Sequence, residues 1–385
     1  MLAIACLLSA AAVWLLAGTK PPALPQDVTP QELERAMREF RFLQRREPDQ
    51  TELLMLLAEN ALRQNRLPTA LACLSLIPTE HSRTGAAARR LETQVCLKAN
   101  LAAEMEAAAT ELLQTARSGS PVPPADLQLV EEMLVFLLSL QDRPEERQQL
   151  LNAMAARRPL DALLAKQLHF PALLATGTDP QNQRLQQFLK QAPEHPQLVP
   201  AHVRYLLAIG KPQDAETLAD RNLAAHPTDL KALAVALECR LERQALPEFT
   251  LLLEAAPDFQ PTEPWLLTQM RAEGAILAGE RTQAKRCFEH LVAADPSNPF
   301  YLQGLAGTLA TDNPESAAER SRLLQQALQL AELRLTLAES DSDAGALQAI
   351  ARIAGKLGMN RAAQDFERLA TIAADSRNRQ RRNAP

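Results

Sequence analysis

Aromatic residues make up only 4% of this chain, too few for the stacking platforms of a sugar-processing helical barrel. No run of Val, Ile, Thr and Tyr bounded by turn residues reads as a strand, which excludes sheet folds at this stage. The five cysteines (Cys6, Cys73, Cys96, Cys239, Cys287) are odd in number, scattered and without a CxxC, so neither a disulfide framework nor a zinc site is expected. With a net charge of −5 and no basic stripe, the chain lacks the electrostatic footprint of a nucleic-acid binder. There is no HExxH, GxGxxG, Walker-type loop or GxSxG. The six histidines are dispersed, and Pro196 and Pro200 keep His195 and His202 off a common helical face. The pairs Glu131-Glu132 and Glu145-Glu146 are adjacent and so point to different faces of a helix. These absences predict a chain with no enzyme activity, no metal and no cofactor.

What remains is rich in Ala, Leu, Gln, Glu and Arg, and 46% hydrophobic, enough for a core built from Leu and Ala between closely spaced helices. Pro264–Pro299 shows the pattern most clearly. Leu267, Met270, Gly274 and Leu277 recur every three or four residues, as do Ala284, Cys287, Phe288, Leu291 and Val292, which predicts two short amphipathic helices. Gly279 marks the turn between them, and Asp295-Pro296 ends the second. A hairpin this small cannot bury two apolar stripes alone and needs copies of itself on either side.

Copies are present. Gly279, Ala284 and Pro296 recur with the same spacing as Gly210, Ala215 and Pro227, and Ala36 and Pro48 repeat the last two, with Phe40 where Phe288 stands. Ala36 to Ala70 and Pro193 to Pro227 are each 34 positions. On these residues the chain resembles the tetratricopeptide repeat family, whose unit of 34 residues is a helix–turn–helix. It departs from the family pattern at Thr268, where a bulky aromatic is usual, and at Arg271-Ala272, where a Leu-Gly pair is usual.

The resemblance implies an all-α fold, a right-handed α-solenoid of antiparallel helix pairs. Gly210 and Gly279 would end first helices with positive φ, Ala215 and Ala284 would let paired helices touch, and Pro227 and Pro296 would stop second helices. It also implies a concave groove lined by first helices, in which Arg204, Gln269 and Glu273 would face a protein or peptide partner. The Lys and Asn of the subclass that clamps a C-terminal carboxylate are replaced by Gln269 with Glu273 and by Pro200 with Arg204, so that function is not expected.

The predicted organisation is a hydrophobic segment over 1–19, a linker over 20–28, repeat-like pairs over 29–117, divergent pairs over 125–192, clear repeats over 197–374 and a solvated basic tail over 375–385. Ser118–Pro124, SGSPVPP, is the plainest break. Leu2–Gly18 is uncharged and apolar, about 25 Å long as a helix and near the lower limit for a bilayer core of about 30 Å. It lacks the basic start and small-residue cleavage site of a signal peptide, so a membrane anchor through residues 2–18 is expected. Lys20 and the arginines of Arg35–Arg46 follow it and favour a cytoplasmic body by the positive-inside rule, whereas bacterial repeat proteins with such leaders often work outside the cytoplasm. An extracytoplasmic body is the expectation adopted. Functionally, the sequence predicts a membrane-tethered, non-catalytic scaffold holding a protein or peptide. A secreted or periplasmic assembly factor after leader cleavage is one alternative. A helical enzyme or regulatory subunit with a site near residues 118–124 is another.

Overall fold

A computed structural model describes residues 50–80, 84–171, 179–309, 313–339 and 343–383. The expected anchor over 2–18, the linker, and Ala36, Phe40 and Pro48 lie outside the described residues. Among the described residues no helix is long and apolar enough to cross a membrane.

All regular structure described is α-helical. In chain order the helices are α1 (Gln50–Arg63), α2 (Leu67–Leu74), α3 (Gly85–Ala99), α4 (Ala102–Arg117), α5 (Pro124–Leu140), α6 (Pro144–Arg157), α7 (Ala162–His169), α8 (Asp179–Gln191) and α9 (Leu198–Ala208). They continue as α10 (Pro212–Ala225), α11 (Leu230–Glu242), α12 (Leu246–Glu254), α13 (Trp265–Leu277), α14 (Arg281–Ala294), α15 (Pro299–Thr308), α16 (Pro314–Glu339), α17 (Ala344–Lys356) and α18 (Asn360–Asn383). The chain divides into two compact units, Met1–Leu137 with Lys190–Ala192, and Leu138–Leu189 with Pro193–Pro385.

One turn recurs throughout. Asn65, Asn100, Asp142, Gly210, Gln244, Gly279 and Gly358 all follow a helix with φ between 50 and 77. At each, the residue's N–H donates to the carbonyl three back, and the next N–H to the carbonyl five before it, as in Gly279 to Ile276 and Glu280 to Ala275. This is the Schellman closure, which satisfies carbonyls the helix leaves open. Pro68, Pro144, Pro212 and Pro247 then start the next helix, where a missing N–H costs nothing.

The core is built between pairs. In the first unit, Leu54, Ala58, Ala70, Cys73, Leu74 and Val95 from three helices form one cluster. Arg89 is buried there and its Nη2 donates to the carbonyls of Leu74 and Ile77 at 2.7 and 2.8 Å, capping the end of α2. In the second unit, successive clusters draw on successive pairs: Val203, Ala215, Val235 and Cys239, then Leu237, Phe249, Leu267 and Met270, then Ala272, Phe288, Leu291 and Tyr301. Each helix pair borrows its neighbour's apolar stripe, which makes this an all-α helical-repeat architecture of the tetratricopeptide type.

One element differs from the sequence reading. The segment read as a basic tail from residue 375 is helical: α18 continues to Asn383, and Arg377 pairs with Asp343 at the start of α17. Within the divergent pairs, α7 is short: Asp161 caps its start through Leu164 N–H at 2.8 Å, and the helix ends before Phe170. Phe170 stacks on Phe366 of α18 with ring centroids 5.7 Å apart, and His169 Nε2 lies 2.8 Å from Asp365.

Candidate functional site

Counting back from the turns Gly210, Gln244 and Gly279 aligns three consecutive first helices, α9, α11 and α13. Arg204, Glu238 and Glu273 each stand six residues before their turn and hold the same position. Arg204 Nε donates to Glu238 Oε2 at 3.1 Å, exactly one repeat away in sequence register, across 34 residues. Lys231 Nζ donates to Gln197 Oε1 at 3.1 Å over the same interval.

Onto this face comes the end of α5 and the start of α6. Asp142 occupies the left-handed position of its turn at φ 50, and its carboxylate pairs with Arg204 Nη1. Three residues on, Glu145 Oε1 accepts the Trp265 N–H at 2.6 Å, satisfying a donor that the first turn of α13 leaves open. Arg143 between them donates to Gln141 Oε1 and Glu146 Oε1, both at 2.7 Å. A cavity of about 70 Å³ remains, bounded by Asp142, Glu145, Arg204, Lys231, Gln269 and Tyr301 among others.

The electrostatics follow from the packing. Burial opposes charge on Asp142, but the Arg204 guanidinium outweighs it and holds that carboxyl below the usual range. Arg204 is held protonated, first by Asp142 and then by Glu238. Burial raises Glu145 despite the Trp265 N–H, and raises Glu238 despite Arg204. Lys231 is lowered by burial and then by Arg143, and Tyr301 is raised by burial and then by Asp295. Arg204 is paired with Asp142 and Glu238, whereas Lys231 is bonded to an amide oxygen and Glu145 to a backbone N–H. Among the described residues no group of three or more His, Cys, Asp or Glu could hold a metal ion.

Of the residues singled out in the sequence, Arg204 and Gln269 line this cavity. Glu273 lies one turn beyond Gln269, half-buried, its carboxyl raised by burial. Gly210 and Gly279 have φ 74 and 77. Ala215, Ala284 and Phe288 are buried, and Pro227 and Pro296 follow the ends of α10 and α14. Sequence reasoning did not find Asp142, Glu145, Lys231 or Tyr301. The one available signal was that Asp142-Arg143-Pro144 parallels Gly210-Lys211-Pro212.

No family model and no curated protein sequence matches the chain. Solved structures do resemble it. The Cut9 and Hcn1 hetero-tetramer of APC/C is similar at 14% identity, covering 89% of this chain and 74% of that one, with a TM-score of 0.37. A tetratricopeptide repeat protein from Parabacteroides merdae is similar at 11%, covering 83% and 98%, with a TM-score of 0.32. The human IFIT1 dimer with PPP-AAAA is similar at 13%, covering 84% and 90%, with a TM-score of 0.35. Scores this low add nothing to what the helix pairs themselves establish. The class of protein defined by the fold is that of the helical-repeat proteins.

Proposed function

We propose that the chain is a non-catalytic scaffold that holds a segment of a partner protein against the first helices of its second unit. One observation carries the reading. Four successive first helices, through Arg204, Lys231, Gln269 and Tyr301, present a single face, and a polypeptide segment already lies on it: the chain's own Asp142–Glu145, held by a side-chain ion pair and by a backbone N–H. A face that accepts polypeptide in this way suits recognition of extended peptide, with Gln269 and Glu273 as the polar contacts beyond the chain's own segment.

Tethering to a membrane through residues 2–18 and an extracytoplasmic body are part of the same proposal, resting on the apolar leader. A photo-cross-linking residue at Gln269 or Glu273 of the intact chain, in membranes from cells making it, tests the groove. A cross-linked protein that is lost in a Q269R/E273R variant of unchanged melting temperature is the expected result. Absence of any adduct at both positions would defeat the groove reading. Fractionation with N-terminal sequencing of the mature chain tests the tether, and recovery of a soluble chain beginning after Gly18 would replace it with the cleaved assembly factor.

A further inference from the structure

The outer layer of the second unit contains a notch. The second helices α10 and α14 run 14 residues each, whereas α12 stops after 9. The difference corresponds to about 7 Å of helix at about 1.5 Å per residue. Residues 255–264 connect α12 to α13 without helix, and Ala256, Pro257, Asp258 and Phe259 of this connection border the space. Between the end of α12 and the start of α14 lies an open cleft of about 900 Å³, within the size class of ligand sites.

Its surface is divided by chemistry. Leu253, Ala256 and Phe259 supply apolar surface. Phe259 is 44% exposed, its ring fixed edge-on against His290 at 5.7 Å. On the α14 side stand Arg281 and Arg286 with the acidic Glu280 beside them, and on the α12 side Glu254 and Asp258, all five exposed. None of the five has a charge partner among the described residues. Arg271, which also borders the cleft, is committed: its Nε donates to Glu263 at 3.0 Å and its Nη2 to the Pro257 carbonyl.

We propose that this cleft is a docking site for an amphipathic helix of a partner protein. The helix takes the place of the missing turns of α12 and lays its apolar face on Leu253, Ala256 and Phe259. One edge carries carboxylates that meet Arg281 and Arg286, and the other carries Lys or Arg that meet Glu254 and Asp258. Arg281 and Arg286 outnumber Glu280 on one wall, so the two walls flanking the apolar surface carry net charge of opposite sign, which sets both the composition and the orientation of the occupant. The site is separate from the groove of the first helices and stands or falls independently of it.

The test uses two stapled, fluorescein-labelled peptides of 14 residues with the same Leu and Ala face. One carries Glu along the left edge and Lys along the right, and the other has the edges exchanged. Titrated against the full chain by anisotropy, one arrangement is expected to bind at least tenfold more tightly. In R281E/R286E the preference is expected to reverse by a similar factor at unchanged melting temperature, and A256W is expected to block both peptides. If A256W does not fold, the charge-reversed variant alone decides. Equal binding of both arrangements, no binding of either, or a preference indifferent to R281E/R286E would overturn the proposal. So would a concentration-dependent dimer abolished by R281E/R286E, which would make a second copy the occupant, or displacement of the peptide by millimolar inorganic phosphate, which would make the cleft an anion site.

Discussion

Phe288 of α14 lies so close to Gly304 of α15 that a Cβ built on Gly304 would stand 2.2 Å from its Cε1 and 2.3 Å from its Cζ. Phe288 is 2% exposed, and the absence of a side chain at Gly304 is what lets the second helix of one pair meet the first helix of the next. Gly304→Ala is therefore expected to destabilise the second unit. Overpacking costs about 1–3 kcal/mol, of which the better helix propensity of Ala returns about 1. Urea unfolding followed by circular dichroism measures it, and a variant as stable as the parent would show that the ring can move aside freely.

The recurrent turn makes a prediction of opposite sign. Gln244 adopts φ 58 where Gly210 and Gly279 stand in the neighbouring repeats. A side chain in the left-handed region costs about 1–2 kcal/mol, partly offset by the entropy of a Gly in the unfolded chain. Gln244→Gly is expected to stabilise by about 0.5–1 kcal/mol. Gly210→Ala is expected to cost about the same, although a Cβ there would meet nothing within 4 Å. Thermal melts of the two variants, moving in opposite directions, check the assignment.

Arg204 neutralises both Asp142 and Glu238, so Arg204→Ala leaves two carboxylates without their cation. Its side chain is 40% exposed, and solvent screening limits the expected loss to about 1–2 kcal/mol at pH 7.5. The sign with pH follows from the carboxyls. Asp142 is held below its ordinary value of 3.8 in the folded state, so its contribution is present in full above that value and is lost as pH falls below it through the lower folded-state pKa. Once Arg204 is gone, both carboxyls titrate at higher pH, and the penalty on the variant shrinks as they protonate. Parent and variant should differ less at pH 4.5 than at pH 7.5, and a difference that grows on acidification would contradict the pairing.

At the contact of α7 with α18, burial lowers His169 below its ordinary 6.5, and the hydrogen bond to Asp365 only partly restores it. The folded state then binds a proton less readily than the unfolded one. Stability from this residue is present above pH 6.5 and is lost as pH falls through that value toward the folded-state pKa. His169→Asn retains a donor for Asp365 and does not titrate. Hydrogen exchange in the first turns of α18 should accelerate between pH 7 and 5.5 in the parent, after correction for intrinsic rates, and not in the variant. Identical slopes would remove His169 from the account.

The buried thiols give a simpler check. Burial pushes Cys73, Cys96 and Cys239 up to about 12, and Cys287 upward as well, so little thiolate forms at neutral pH. Under native conditions a thiol reagent should leave these four unmodified, and in urea it should reach all of them. Native labelling of Cys239 would show that α11 is less enclosed than described.

Much of the helical-repeat architecture was written in the chain itself. Backbone rules set it residue by residue: Gly210 and Gly279 tolerate positive φ, Pro212 opens a helix, Pro227 follows the end of one, and apolar residues at intervals of three and four mark the buried stripe. Alignment of those turns also placed Arg204 and Glu273 in equivalent positions. The same rules could not reveal Gln244 as a turn residue, because that type does not announce a left-handed backbone, and at Asp142 only the parallel of Asp142-Arg143-Pro144 with Gly210-Lys211-Pro212 pointed to one. Nor could they show that Asp142 reaches Arg204 across 62 residues, that Glu145 meets the N–H of Trp265 across 120, or that α12 ends early and leaves a cleft. Local preferences are summed along the chain and are legible there. Which charge meets which, and where a layer is left open, depends on how successive pairs stack, and only the tertiary structure decides that.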